Sequence, residues 1–131
     1  MPAYDGTRFD PPAPVALVRL VNPETGESVD EIPMLLDSGA DVTLLPRAAV
    51  DTLNLPALDV TYTLAGFDNK QSEAGAVHAQ LVLLDKRFRG TFLVIDSDVG
   101  VIGRNILNSI RIQLDGPTER WDEVVAPERL S

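Results

Sequence analysis

The most informative segment of the chain is residues 34–46, which read MLLDSGADVTLLP. Three apolar residues run directly into Asp37, which is followed by a serine and a glycine. A second apolar run begins at Val42 and closes on Pro46. The pattern predicts two short buried strands joined by a tight turn that carries a carboxylate at its start. Gly39 lets backbone or a bound molecule approach this turn closely.

One aspartate on a turn is a weak catalyst, whereas two that face each other are a strong one. At about 3 Å and an effective dielectric constant near 20, two carboxylates repel by roughly 5–6 kcal/mol, so the pair shares one proton. The protonated member polarises a carbonyl, and the ionised member takes a proton from water. This chain contains a single Asp-Ser/Thr-Gly tripeptide. If such a pair forms, a second copy of the chain must supply the other carboxylate across a twofold axis.

A second informative segment is VIGRNIL, residues 101–107. It also leads apolar residues into a glycine, and it then begins a predicted helix with an arginine in the first turn. Together the two segments resemble the retroviral-type (retropepsin-like) aspartic proteases. Residues 35–41 match the first motif of that family, residues 102–107 match the second, and Gly103 follows Asp37 by 66 residues. The resemblance covers about residues 14–115.

This resemblance implies a role for each matched residue. Asp37 is expected to be catalytic, with Ser38 bracing the carboxylate pair across the twofold axis and Gly39 offering its backbone to the substrate. The substrate-binding residues are expected to be Ala40, Asp41, Gly66, Phe67, Val101 and Ile102. Arg104, which the family pairs with Asp41, and Asn105 are expected to support the site structurally. The family implies a homodimer that acts on peptides with no cofactor and no metal.

The flap and the C-terminal region differ from those of the viral members. Residues 65–75 are expected to form the flap, a hairpin that closes over the peptide, but its tip, DNKQ at residues 68–71, is polar. Viral members end soon after the helix with a strand at the dimer interface. This chain adds a predicted strand, turn and strand over residues 110–125, which makes it more similar to the bacterial and cellular relatives. Residues 96–100 are expected to line the cleft as a loop.

The hydrophobic pattern predicts a mainly β, single-domain protein with one or two short helices. The resemblance implies the retropepsin-like acid protease fold, with closed, barrel-like sheets. Strands are predicted at residues 15–21, 29–36, 42–45, 60–64, 76–84, 88–95, 110–114 and 121–125, and helices at residues 46–53 and 103–109. We expect an extended N-terminal arm over residues 1–13, the protease domain over residues 14–125 and a tail over residues 126–131.

Composition and charge exclude several classes of function. The net charge of −9 argues against nucleic acid and anionic membranes as partners, because both need clustered Lys and Arg. No apolar run approaches the roughly 20 residues that span a bilayer. The chain has no cysteine, which removes disulfides and thiolate chemistry. The N-terminal residues lack the basic and apolar regions of a secretory signal, so we expect a cytoplasmic protein.

Plainer interpretations stand beside these predictions. An Asp-Ser-Gly tripeptide alone is commonly only a turn, and Asp96 and Asp98 most simply form a solvated loop. Ser38 as a nucleophile would need a histidine base, and His78 is the single histidine. The alternative function is a dimerisation or peptide-binding module of the same fold with little or no proteolysis.

Overall fold

A computed structural model describes residues 2–65 and 71–125, and within them the chain forms ten strands and two short helices. The strands are β1 (Tyr4–Asp5), β2 (Ala13–Val21), β3 (Ser28–Leu36), β4 (Leu44–Pro46), β5 (Ala57–Ala65), β6 (Gln71–Leu83), β7 (Lys86–Ile95), β8 (Gly100–Ile102), β9 (Ile112–Asp115) and β10 (Arg120–Glu123). The helices are α1 (Arg47–Thr52) and α2 (Arg104–Leu107). None of the helices in the described residues is long and apolar enough to cross a membrane.

Six of the strands close into a ring. Their order is β2-β3-β8-β4-β7-β6, and β6 pairs again with β2 to complete the circle. β1 extends the sheet beside β2, and β5 extends it beside β6. The short strand β8 lies between β3, to which it is parallel, and β4, to which it is antiparallel. This insertion brings the ends of β3 and β8 side by side, so the two sequence motifs meet in space.

The interior of this ring is the hydrophobic core. Along β2, Ala16, Val18 and Leu20 are buried while Leu17 and Arg19 are exposed, which is the period-two alternation of a strand with one face inward. The largest fully buried side chains include Leu20, Met34, Leu45, Leu81 and Ile102. Burying each such side chain stabilises the fold by about 1.5–3 kcal/mol. The core therefore fixes β3 and β8, the strands that lead into the site.

The N-terminal arm docks on the C-terminal hairpin of the same chain. The Tyr4 N–H donates to the carbonyl of Glu119 (2.9 Å), and the Trp121 N–H donates to the carbonyl of Pro2 (3.0 Å). The Trp121 side chain is only 1% exposed, and its indole N–H donates to the carbonyl of Val15 at 3.0 Å. The two ends of the described chain are thus joined through this tryptophan.

The predicted fold class is confirmed; the predicted elements differ from the observed ones at their ends, and two short strands, β1 and β8, were not predicted. Residues 71–75, predicted as part of an exposed flap tip, belong to β6, where they pair with β5. The predicted helix at residues 103–109 is helical only over α2 and continues as single turns, in which the Ser109 and Ile110 N–H groups bond to Ile106 and Leu107. With two and three residues respectively, β1 and β8 are too short to show the alternating pattern of a strand in the sequence.

Candidate active site

Asp37 lies at the end of β3, where the core gives way to solvent, and it is half-buried. Its backbone N–H donates to the carbonyl of Ile102 at 3.0 Å, which anchors it to the end of β8. Its carboxylate accepts a hydrogen bond from the Gly39 N–H at 2.9 Å, and its carbonyl accepts one from the Ala40 N–H at 3.1 Å. The Gly39 N–H, which belongs to the same turn, therefore holds the Asp37 carboxylate in one orientation.

The start of α2 braces the same turn from outside. The Arg104 N–H donates to the carbonyl of Ala40, and the Arg104 guanidinium donates to the carbonyl of Ser38, both at 2.8 Å. Gly103, just before the helix, packs directly against the backbone of Val42. A Cβ at this position would lie 2.2 Å from the Val42 carbonyl oxygen, so only glycine fits. The second motif is thus a support for the first.

Thr43 links the two motifs, although it belongs to neither set of predicted site residues. This side chain is 1% exposed. Its hydroxyl donates to the amide oxygen of Asn105 at 2.7 Å and accepts from the Gly103 N–H at 3.1 Å. A hydroxyl inside the apolar run VTLL is a signal that could have identified it, because a buried polar group needs hydrogen-bond partners.

A cleft of about 320 Å³ opens beside Asp37. Its lining residues come from the turn, from β4 and from the end of β5: Asp37, Gly39, Ala40, Asp41, Val42, Leu44, Leu64 and Ala65. Leu64 and Ala65 lie at the end of β5 that leads into the predicted flap, residues 65–75. The cleft is therefore lined both by the Asp37 turn and by the end of β5 that leads into the predicted flap. A larger cavity of about 510 Å³ lies under the N-terminal arm and includes none of the predicted site residues.

The structure brings some of the predicted site residues together and separates others. Asp37, Gly39, Ala40 and Asp41 share the cleft, and exposed Ser38 lies on the same turn. Val101, the middle residue of β8, is half-buried and is absent from the lining of this cleft.

Ile102, by contrast, is 0% exposed within the core, so its side chain does not reach the cleft. Asn105 supports Thr43, as described above. The predictions for Gly66 and Phe67 lie outside the described residues.

Two expected contacts take a different form. Among the ion pairs of the described residues, none joins Asp41 to Arg104, whose guanidinium instead donates to the Ser38 carbonyl. Asp96 pairs with Arg47 at the start of α1 and is absent from the lining of the cleft beside Asp37. The Asp96 carboxylate raises the pKa of the Arg47 guanidinium through a hydrogen bond and charge attraction. In the part of the chain that the structure describes, no three acidic or histidine side chains cluster closely enough to hold a metal ion.

Comparison with known proteins agrees with this geometry. The family model described as retroviral aspartyl protease matches residues 13–115, well over half of the chain. Among solved structures, the fold is similar to that of EIAV protease complexed with the inhibitor HBY-793, with a TM-score of 0.55 and 22% sequence identity. That match covers 74% of this chain and 86% of the EIAV protease chain, and at this identity it shows the fold alone. On the strength of the family match, the chain belongs to the retroviral aspartyl protease family.

Proposed function

We propose that this protein is a homodimeric aspartic endopeptidase that hydrolyses peptide bonds between two Asp37 carboxylates, one from each subunit. The observation that carries the proposal is the Asp37 turn itself. Its carboxylate is oriented by the Gly39 N–H (2.9 Å) and lines a cleft that Leu64 and Ala65, at the end of β5, also line. In a member of this family, that arrangement supports catalysis better than a plain surface turn.

The proposed mechanism depends on symmetry. A twofold axis beside Asp37 brings a second carboxylate within hydrogen-bonding reach, and charge repulsion then lets the pair hold a single proton. The ionised oxygen removes a proton from a water molecule as that water attacks the peptide carbonyl. The protonated oxygen donates to the carbonyl oxygen, and the pair later returns a proton to the leaving amine. Neither step requires a metal or a cofactor.

The remaining site residues position the substrate in this scheme. An extended peptide lies along the cleft and forms β-type hydrogen bonds with main-chain groups near Gly39, while Asp41 contacts its backbone. The apolar walls at Val42, Leu44 and Leu64 accept side chains. The β5–β6 hairpin covers the peptide and excludes water, which strengthens the electrostatic effect of the carboxylate pair. Ser38 of each subunit hydrogen-bonds across the axis.

The experiment that tests this function compares the protein with its Asp37→Asn variant. Both are incubated with a denatured protein mixture from pH 4 to pH 7, with and without a pepstatin-type transition-state mimic. We expect cleavage by the unchanged protein, its inhibition by the mimic, and its loss in the variant. Asp51→Asn is the matched control, because Asp51 is an exposed aspartate on α1. Circular dichroism and sedimentation establish that fold and assembly are the same in all three proteins.

Two outcomes would contradict the proposal. Full activity of Asp37→Asn would remove the mechanism. No inhibitable cleavage at any pH by a protein that still dimerises would favour the alternative, a dimerisation or peptide-binding module. The polar residues DNKQ at 68–71 in the sequence favour that alternative modestly, since an apolar flap tip is the more usual partner of a bound peptide.

A further inference from the structure

Strand β7 has an open edge along most of its length. On one side its residues 86–93 pair with β6, whereas on the other side β4 reaches only residues 93–95. Within residues 2–65 and 71–125, no strand therefore pairs with that second side of β7 before residue 93. At about 3.3 Å per residue, residues 87–92 leave an edge of about 20 Å, which is long enough for an added segment of about six residues.

The turn between β6 and β7 shows which backbone groups point to this edge. Its two residues, 84 and 85, have φ values of 53° and 62° and connect Leu83 to Lys86, which are paired. The first and last residues of such a turn are hydrogen-bonded to each other, so the backbone groups of Lys86 and of every second residue after it face β6. The residues whose backbone groups point to the open edge are Arg87, Arg89 and Thr91.

The outward face of the open edge is basic. Arg87 and Arg89 are exposed, and alternation along the strand places their side chains on the same face. In the part of the chain that the structure describes, neither arginine forms an ion pair, and the Arg89 guanidinium donates to the amide oxygen of Gln80 at 2.9 Å. The two residues form a local concentration of positive charge in a chain of net charge −9. A carboxylate opposite either arginine would form a cross-strand ion pair.

The inward face of the same edge has a gap at Gly90. A hollow of about 320 Å³ is lined by residues 87–92 of β7 together with two residues of α2. Gly90 lies on the same face as half-buried Phe88 and buried Phe92. Among the described residues, a Cβ added to Gly90 would meet no heavy atom within 4 Å beyond its chain neighbours. Glycine inside a strand often marks a place where a ligand or another backbone approaches closely, so the hollow can hold an apolar side chain of an added strand.

The partner that fits both faces is an acidic, extended segment of another protein. In a segment that alternates carboxylates with apolar residues, the carboxylates meet Arg87 and Arg89 while an apolar side chain enters the hollow at Gly90. Main-chain hydrogen bonds to the open edge supply the rest of the affinity. A second copy of β7 fits less well, because pairing centred on Phe88 or Arg89 places arginine opposite arginine.

We propose that the open edge of β7 binds an acidic, extended segment of a partner protein by strand addition, with carboxylates on Arg87 and Arg89 and an apolar side chain in the hollow at Gly90. This hollow shares no lining residue with the cleft beside Asp37. The inference goes beyond the proposed function and does not depend on it, since the edge binds such a segment whether or not the protein cleaves peptides.

Charge reversal tests the basic face. The probe is a fluorescein-labelled peptide of about seven residues that alternates glutamate with valine and is capped at both ends, and fluorescence anisotropy measures its binding. A saturating pepstatin-type mimic is present throughout, so that cleavage and binding in the cleft do not contribute. We expect the double variant Arg87→Glu, Arg89→Glu to bind this peptide about tenfold more weakly at low salt. The same variant should gain affinity for the matching lysine–valine peptide.

The matched control for charge reversal is the double variant Arg111→Glu, Arg120→Glu. It changes the net charge by the same amount at two exposed positions outside β7. We expect it to bind the glutamate–valine peptide nearly as well as the unchanged protein does. Circular dichroism verifies that both double variants fold.

Two further measurements test the backbone pairing and the hollow. Alternate residues of a strand present their N–H groups to opposite edges, so N-methylation of only the glutamates or only the valines removes the donors of one edge. We expect one of these two methylated peptides to lose binding and the other to retain it. Gly90→Leu fills the hollow and should weaken binding several-fold, whereas the smaller side chain of Gly90→Ala should weaken it less.

Three results would overturn the inference. The first is no binding of the glutamate–valine peptide by the unchanged protein, which would mean that the arginines only keep the edge from pairing. The second is an equal loss of binding in the two double variants, which would assign the binding to net charge. The third is equal binding of both methylated peptides, which would exclude strand addition. None of these results bears on cleavage, which the Asp37→Asn comparison decides.

Discussion

The buried hydroxyl of Thr43 connects the motif at residues 35–41 to the motif at residues 102–107, through its bonds to Asn105 and Gly103. Thr43→Val keeps the shape but removes the bonds to Asn105 and to the Gly103 N–H. A buried group left without its partner costs about 1–3 kcal/mol, so we expect unfolding stability to fall by that amount. We also expect kcat to fall with little change in KM, because the turn that holds Asp37 loses its support. Denaturant unfolding and steady-state kinetics measure the two effects.

Thr43→Ser is the matched variant for this prediction, since it keeps the hydroxyl and removes only a methyl group. It should retain most of the activity. If Thr43→Val had the same kcat as the unchanged protein, the hydroxyl would have no part in positioning the site, and its role would be confined to packing.

At this scale the sequence could predict which residues matter but not all of their partners. Asp37 and Arg104 follow from local patterns, an apolar run ending in a turn and a helix start. Whether Arg104 bonds to Asp41 or to the Ser38 carbonyl depends on where two segments 66 residues apart meet. The geometry at Gly103, where a Cβ would lie 2.2 Å from the Val42 oxygen, depends on the same meeting. Local sequence therefore predicts neither the hydrogen bond of Arg104 to Ser38 nor the close approach of Gly103 to Val42.

The N-terminal arm is an element whose docking can be followed by fluorescence, because Trp121 is the single tryptophan. Residues 2–8 line the cavity beside its indole, and Pro2 accepts its backbone N–H. Deleting residues 1–8 should shift the Trp121 emission to longer wavelength, since water reaches the ring. Loss of these few hydrogen bonds should lower stability by about 1–3 kcal/mol. An unchanged emission maximum would contradict the docking.

The turn after β1 predicts a dependence of arm stability on pH. Asp5 accepts hydrogen bonds from Arg8 and Thr7, chiefly from the Arg8 backbone N–H and guanidinium, and these hold the pKa of its carboxyl well below the ordinary value of 3.8. A carboxyl whose folded-state pKa is lowered stabilises the fold above its unfolded value. That contribution is lost as the pH falls from about 3.8 through the folded-state value.

Asp5→Asn removes this titration. We expect the variant to be less stable than the unchanged protein at pH 7 and the gap to narrow as the pH falls below about 3.8. Denaturant unfolding at a series of pH values, followed by Trp121 emission, measures the gap. If the difference in unfolding free energy between the two proteins stayed constant down to the lowest pH, the lower stability of Asp5→Asn would come from the geometry of the turn and not from the lost charge.

For whole elements, the sequence predicted most of the strands because their apolar residues alternate. The β2–β3 hairpin, predicted over residues 15–36, forms with Val15 opposite Leu35. The strand character of residues 71–75 was missed because glycine and polar residues there suggest a loop, while pairing with β5 overrides that preference. β1 and β8 were missed because strands of two and three residues show no alternation, and their conformation comes from pairing with neighbouring strands.

At the scale of the whole molecule, the closed ring supports the proposal that one chain holds only half of the active site. The β2–β6 pairing completes the circle around a single core. Within it, the turn between β3 and β4 occurs once, so a single Asp37 reaches the cleft. The second carboxylate of the proposed pair would therefore come from another chain, through an interface that depends on protein concentration.

Mixing subunits tests whether the active unit is a dimer that needs both carboxylates. If unchanged chains and Asp37→Asn chains exchange freely in equal amounts, a quarter of the dimers keep both aspartates, and activity per unchanged chain should fall to about half. A large excess of the variant should suppress it almost fully. Mixing with Asp51→Asn instead should leave activity per chain unchanged, since that residue lies on α1. Activity that ignores added Asp37→Asn would mean that each chain works alone, and a shared proton between two subunits could then not be the source of catalysis.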